Sequence, residues 1–171
     1  EIMPSLVGSE MCIRDRYYIC VQNIRFLLNI NHLLPNDMTP QEFFKKDCFA
    51  DKAGVELIEI KEGYSKARLV ITETHLNAGN RTQGGALFTL ADLALAAAAN
   101  SHGTLAFSLS SNITFLRSSG PGDILYAEAR ERYIGRTTGH YQIDITNQNG
   151  ELVATFESSI FRKGDALPFT L

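Results

Sequence analysis

Residues 84–100, GGALFTLADLALAAAAN, form a run of small and apolar residues interrupted by a single charge, Asp92. A run of this length with helix-forming Leu and Ala reads as one apolar helix of about 25 Å, which a soluble chain must enclose. It is shorter than the roughly 20 residues of a membrane span and contains a carboxylate, so it reads as a core helix and not an anchor. The helical neighbours of Asp92 are Gly85, Phe88, Thr89, Leu95, Ala96 and Ala99, which do not form a polar stripe. Burying an unpaired carboxylate is costly and raises its pKa. Either the face around Asp92 is wet or the charge has a task.

The rest of the chain supplies the enclosure. Thr39-Pro40-Gln41-Glu42 reads as a capped helix start, with a short helix over roughly 40–48. Residues 54–60 and 64–72 alternate as a hairpin, and 104–116, 123–133, 138–147 and 151–161 are strands separated by glycine-containing turns. In the last of these Leu152, Ala154, Phe156, Ser158 and Ile160 share a face. One apolar helix with about five to six antiparallel strands is an α+β architecture in which the sheet wraps round the helix.

At 171 residues and 44% hydrophobic content, one domain with a real core is expected. The net charge of −3 argues against a dedicated nucleic-acid binder. Cys12, Cys20 and Cys48 form neither a CxxC pair nor an even-numbered framework, which fits a reducing cytoplasm; Cys48 reads as a semi-buried packing residue. His32, His75, His102 and His140 lack metal-ligand spacing, so each reads as structural or exposed and no metal site is expected. Residues 1–37 show no sustained period, and residues 4–16 resemble a translated sequencing adapter. The expected organisation is a non-native or disordered extension over 1–37 and a functional domain over 38–171, with Met38 as its start.

The run His75-Leu76-Asn77, then Gln83-Gly84-Gly85 through Asp92 and Asn100-Ser101, resembles the PaaI-like hotdog-fold acyl-CoA thioesterases of the phenylacetate-pathway type. The strand holding Ser108-Leu109-Ser110-Ser111-Asn112-Ile113-Thr114 is similar to that family's strand after the helix, and the similarity extends over about residues 40–163. The resemblance implies a hotdog fold and a cytoplasmic homo-oligomer, a dimer or a homotetramer built as a dimer of dimers, with active sites at the subunit interface. It implies hydrolysis of an aryl-acetyl or medium-chain acyl-CoA without a metal or redox cofactor. It also implies roles: Asp92 as the catalytic carboxylate, Gly84 as the backbone donor to the thioester carbonyl, Asn77 as an orienting residue and Ser108 as an aid to the nucleophilic water. Gln83 departs from the histidine many members carry, and cannot shuttle protons near neutral pH.

The residues support the central roles independently. A helix N-terminus leaves N–H groups unpaired and suits an oxygen becoming negative, and Gly84 and Gly85 permit close approach there. A carboxylate can activate water as a general base, the favoured reading, or attack directly. Gly84 and Asp92 lie eight residues apart, about 12 Å along one helix, so they serve one carbonyl only if an antiparallel partner helix supplies its own Asp92. Arg117 and Arg136 are the leading candidates for the phosphates of coenzyme A, ahead of Arg81, Arg130 and Arg132, and Gln83 and Gly85 are candidate substrate contacts. Plainer readings compete: Asp92 bonded to Thr89, the glycine pair as a tight helix start, Asn77 as a turn residue. Rival functions are an acyl-CoA-binding module without turnover and a hotdog dehydratase, which would pair a catalytic histidine with an acid.

Overall fold

The computed structural model describes residues 38–169 and 171; the reading of residues 1–37 lies outside the described residues. Helix α1 (Pro40–Phe44) starts at a capping box: the Glu42 N–H donates to Thr39 Oγ1 at 3.2 Å and the Thr39 N–H to Glu42 Oε2 at 2.7 Å. The single helix expected over 40–48 is in fact two. Asp47 Oδ1 accepts from the N–H groups of Phe49 and Ala50, at 3.1 and 3.0 Å, and so starts a second helix, α2 (Cys48–Lys52). Cys48 opens that helix facing outward and is exposed, not semi-buried, while Ala50 takes the inward position.

Strands β1 (Glu56–Lys61) and β2 (Tyr64–Val70) form the hairpin, turning at Gly63 with φ of 67°. A 3-10 turn at Glu73–His75 and a loop lead to the central helix, α3 (Gly84–Asn100), followed by β3 (Thr104–Phe115), β4 (Ile124–Ile134), β5 (Thr138–Thr146) and β6 (Leu152–Ala166). All pair antiparallel in one six-stranded sheet, ordered β1-β2-β4-β5-β6-β3. Strand β6 runs past the expected Phe161. Ala154, Phe156, Ser158 and Ile160 on it are buried, whereas Leu152 is exposed beside a register shift in its pairing with β5.

The sheet packs on α3 through small residues that let the layers approach. Ala67, Ala127 and Ala129 on the strands and Ala91, Ala94 and Ala98 on the helix are all fully buried. The helix is closed on most sides but not all. Gly85, Phe88, Thr89, Asp92 and Ala96, at helical spacing, form its one partly open stripe, while Leu95 and Ala99 are buried. The C-terminal end is pinned by Asn100, whose side chain accepts from the Ala106 N–H at 2.9 Å and donates to the Ala106 carbonyl at 3.2 Å.

The two sheet edges differ. Strand β1 is short, irregular in register and carries Glu56, Glu59 and Lys61, the usual protection of a free edge. Strand β3 is long, and Phe107, Leu109 and Phe115 on it and Leu116 beyond it are each more than half exposed.

Candidate active site

The N-terminus of α3 is held by a network in the preceding loop. The Gln83 N–H donates to the His75 carbonyl at 2.7 Å, the Thr82 N–H to the Ser119 carbonyl at 3.0 Å, and Ser119 Oγ to Thr82 Oγ1 at 2.7 Å. His75 Nδ1 accepts from the Thr72 N–H at 3.0 Å, so its proton is on Nε2 and is donated to the Ala53 carbonyl at 2.9 Å. That histidine is committed to the scaffold.

Gln83 is the N-cap. Its side-chain oxygen accepts from the Gly85 N–H and its backbone carbonyl from the Ala86 N–H at 2.9 Å. The Gly84 N–H has no partner among the described residues. The helix therefore presents a free donor at its positive end, at Gly84. The glycine pair has a packing role beside the close approach expected for a ligand. A Cβ on Gly84 would lie 2.8 Å from Phe115 Cζ, and one on Gly85 2.6 Å from Gln83 Oε1, so the space beside both glycines is occupied by the protein's own side chains.

Gly84, Asn77, Arg81 and Arg117 line one cavity of about 380 Å³, with Phe115 over it. Asn77 is a turn residue: its Oδ1 accepts from the Gly79 N–H at 2.8 Å and the Arg81 N–H at 3.2 Å, which leaves its amide NH₂ as the group available to a ligand. Arg117 Nη1 lies 3.5 Å from Glu151 Oε1, an exposed pair that a phosphate could displace.

Asp92 lies two turns along α3, half-buried on the open stripe, with no hydrogen bond among the described residues. Thr89 does not hold it, because Thr89 Oγ1 donates to the Gly85 carbonyl at 2.8 Å. Burial pushes the Asp92 pKa up, and the nearby charge of Asp47 adds to the rise. Both causes move the carboxylate toward the range where a base works at neutral pH.

The remaining candidates lie elsewhere in the chain. Ser108 pairs with Ile160 on the helix-facing side of the sheet, and Ile160 with Gly139; seven residues of β3, or roughly 20 Å, separate it from Phe115. Arg136 sits in the β4–β5 turn, at the Ser108 end of the sheet. Within one chain, Asn77, Gly84 and Arg117 come together; Asp92, Ser108 and Arg136 do not join them.

Two aromatic contributions were not assigned from the sequence. Phe115 covers Gly84, and Phe49 and Phe88 line a second cavity on the Gly85 side. Neither contact has a local pattern, since each joins segments distant in sequence. His102 is structural: its Nε2 lies 2.5 Å from Glu131 Oε2, which also accepts from the buried Tyr141 hydroxyl at 2.7 Å, at the far end of α3. Burial, then the Glu131 hydrogen bond, push the Tyr141 pKa up and keep its hydroxyl protonated.

An antiparallel sheet wrapped on one apolar helix, with a free donor at that helix's N-terminus, is the architecture of a hotdog-fold thioester hydrolase. Residues 80–154 match the Thioesterase superfamily. The acyl-coenzyme A thioesterase PaaI of Escherichia coli is 37% identical over 124 residues, 72% of this chain and 89% of that protein; its structure, covering 72% and 90% of the two chains, superposes with a TM-score of 0.70. A protein of Archaeoglobus fulgidus is 37% identical over 127 residues, 74% of this chain and 82% of that one. A Streptococcus pneumoniae hypothetical thioesterase solved with coenzyme A is 27% identical, with a TM-score of 0.69 over 74% of this chain and 99% of that one. The chain belongs to the thioesterase superfamily, among its PaaI-like hotdog members.

Proposed function

We propose that this protein hydrolyses acyl-CoA thioesters to free acid and CoA, with Asp92 as general base and the Gly84 N–H as the donor to the developing oxyanion. The observation that carries the reading is the Gly84 N–H at the start of α3, without a partner among the described residues and beside a cavity lined by Arg81 and Arg117. It is supported by the coenzyme A bound in the pneumococcal relative and by the acyl-CoA activity in the name of the Escherichia coli one.

The chemistry follows from those groups. Water placed at Asp92 gives up a proton to the carboxylate and its oxygen bonds to the thioester carbon. The carbonyl oxygen takes the negative charge, which the Gly84 N–H and the helix's positive end stabilise. Collapse breaks the C–S bond, and the thiolate leaves with the proton Asp92 holds. No step calls for a metal or redox cofactor.

The site is composite. Gly84 and Asp92 are each four residues from Phe88. Two antiparallel α3 helices crossing about a two-fold axis at Phe88 would therefore set each Gly84 opposite the partner's Asp92. Phe88 lies on the open stripe, 37% exposed, and β3, which has no strand on its outer side among the described residues, offers the same partner a strand to pair with. That axis also reverses the sheet, carrying the Ser108 and Arg136 end of one subunit toward the Gly84 end of the other. A cytoplasmic homo-oligomer, dimer or tetramer, acting on phenylacetyl or medium-chain acyl groups completes the reading.

A panel of acyl-CoAs assayed for thiol release tests it. Turnover of at least one supports the assignment; binding of CoA thioesters without thiol release makes the protein a binding module instead.

A further inference from the structure

The start of α3 stands between two cavities, one carrying two arginines and the other with the larger share of apolar wall. On the Gly84 side Asn77, Arg81 and Arg117 share the wall with Leu87, Phe115 and Leu116. On the Gly85 side is a cavity of about 690 Å³ whose wall is mostly apolar, with Phe49, Leu76, Ala86 and Phe88, and also carries Lys52 and His75. A thioester carbonyl resting on the Gly84 N–H has one arm that is polar and phosphorylated and one that is the acyl group. The apolar arm gains by entering the apolar cavity, and the arginines suit the other.

We propose that the Gly85-side cavity receives the acyl group and that Phe49 selects among acyl groups by size. This rests on the reading of α3's N-terminus as the thioester site. Phe88 is committed, its ring packed edge-on against Phe156 at 5.0 Å, so it forms a fixed floor. Phe49 is 73% exposed and has no ring partner among the described residues, whereas Phe43 and Phe44 pack on each other and on Phe169. Its backbone is nonetheless fixed, because its own N–H is bound by the Asp47 cap at 3.1 Å. A rigidly mounted aromatic on a cavity wall, with no ring of the described residues against it, gains most when an aryl or long acyl group lies against it.

The experiment compares wild type with Phe49→Ala on acetyl-CoA and on the faster of phenylacetyl-CoA and octanoyl-CoA. The ratio of kcat/KM, large acyl over acetyl, should fall about 10-fold or more in the variant, within the range that a hydrophobic pocket contact discriminates. A general structural defect would lower both substrates alike and leave the ratio in place. A ratio within about twofold of wild type overturns the role of Phe49 while leaving the hydrolase reading intact. A wild type that hydrolyses no acyl-CoA overturns the functional reading, and this inference with it.

Discussion

The tip of the Phe115 ring stands where a side chain on Gly84 would have to be, 2.8 Å from the position of a Cβ. Glycine there relieves a packing contact as well as serving the proposed chemistry, and the two demands separate experimentally. Gly84→Ala keeps the N–H and should lower the thermal midpoint through overpacking, by about 1–3 kcal/mol of stability. Phe115→Ala in the same chain should restore much of that loss, because the clash is gone. Thermal denaturation of the four proteins in a double-mutant cycle measures the coupling. Simple additivity of the two losses would show that the contact is not the reason for glycine.

Asp92→Asn should reduce kcat by roughly 10²-fold or more, the scale for removing a positioned base. Burial raises the pKa of the native carboxylate, so the acid limb of the wild-type rate profile should lie above the ordinary carboxylate range, with activity rising as pH rises through it. Stability moves the opposite way. The folded state holds this proton more tightly than the unfolded one, so the contribution of Asp92 is present below the unfolded pKa and lost as pH climbs through the folded pKa. The asparagine variant should therefore melt higher than wild type at neutral pH, and the gap should close in acid. A neutral-pH midpoint below wild type would contradict the burial argument.

Asn77 has a structural duty and a proposed chemical one, on different atoms. Asn77→Asp retains the acceptor for the Gly79 and Arg81 N–H groups and loses the amide donor. It should keep the thermal midpoint and lose activity if the NH₂ orients substrate or water. Asn77→Ala should lower both, the turn being worth about 1 kcal/mol. Full activity in the aspartate variant would reduce Asn77 to a turn residue.

Much of this was legible in the chain because it is local. The Thr39–Glu42 box, the Gly63 turn and the alternating strands each occupy a few consecutive residues, and the structure places them where the pattern predicts. The break at Asp47 lay in a short stretch where one cap outweighs continued helical propensity. What one sequence could not show depends on which face the sheet leaves open. The helical wheel puts Leu95 and Ala99 beside Asp92 as readily as Phe88 and Thr89, yet only the latter pair shares its open stripe. Likewise Arg117 and Arg136 looked equivalent until strand register set them at opposite ends of the sheet.

The separation of Gly84 from Asp92 along one helix makes the strongest demand on the assembly. Mixing Asp92→Ala subunits with Gly84→Pro subunits, each inactive alone, should rebuild one intact site in every mixed dimer. Proline suits a first-turn position and deletes the N–H, but its own Cβ would crowd the Phe115 ring as an alanine's would. Both variants are therefore carried in a Phe115→Ala background, whose activity is the reference. Random pairing makes about half the dimers mixed, so activity should recover to roughly a quarter of that reference. If both residues served a site within one chain, every site would keep a defect and nothing would recover. Native mass spectrometry establishes that subunits have exchanged; absence of recovery after proven exchange would refute the composite site.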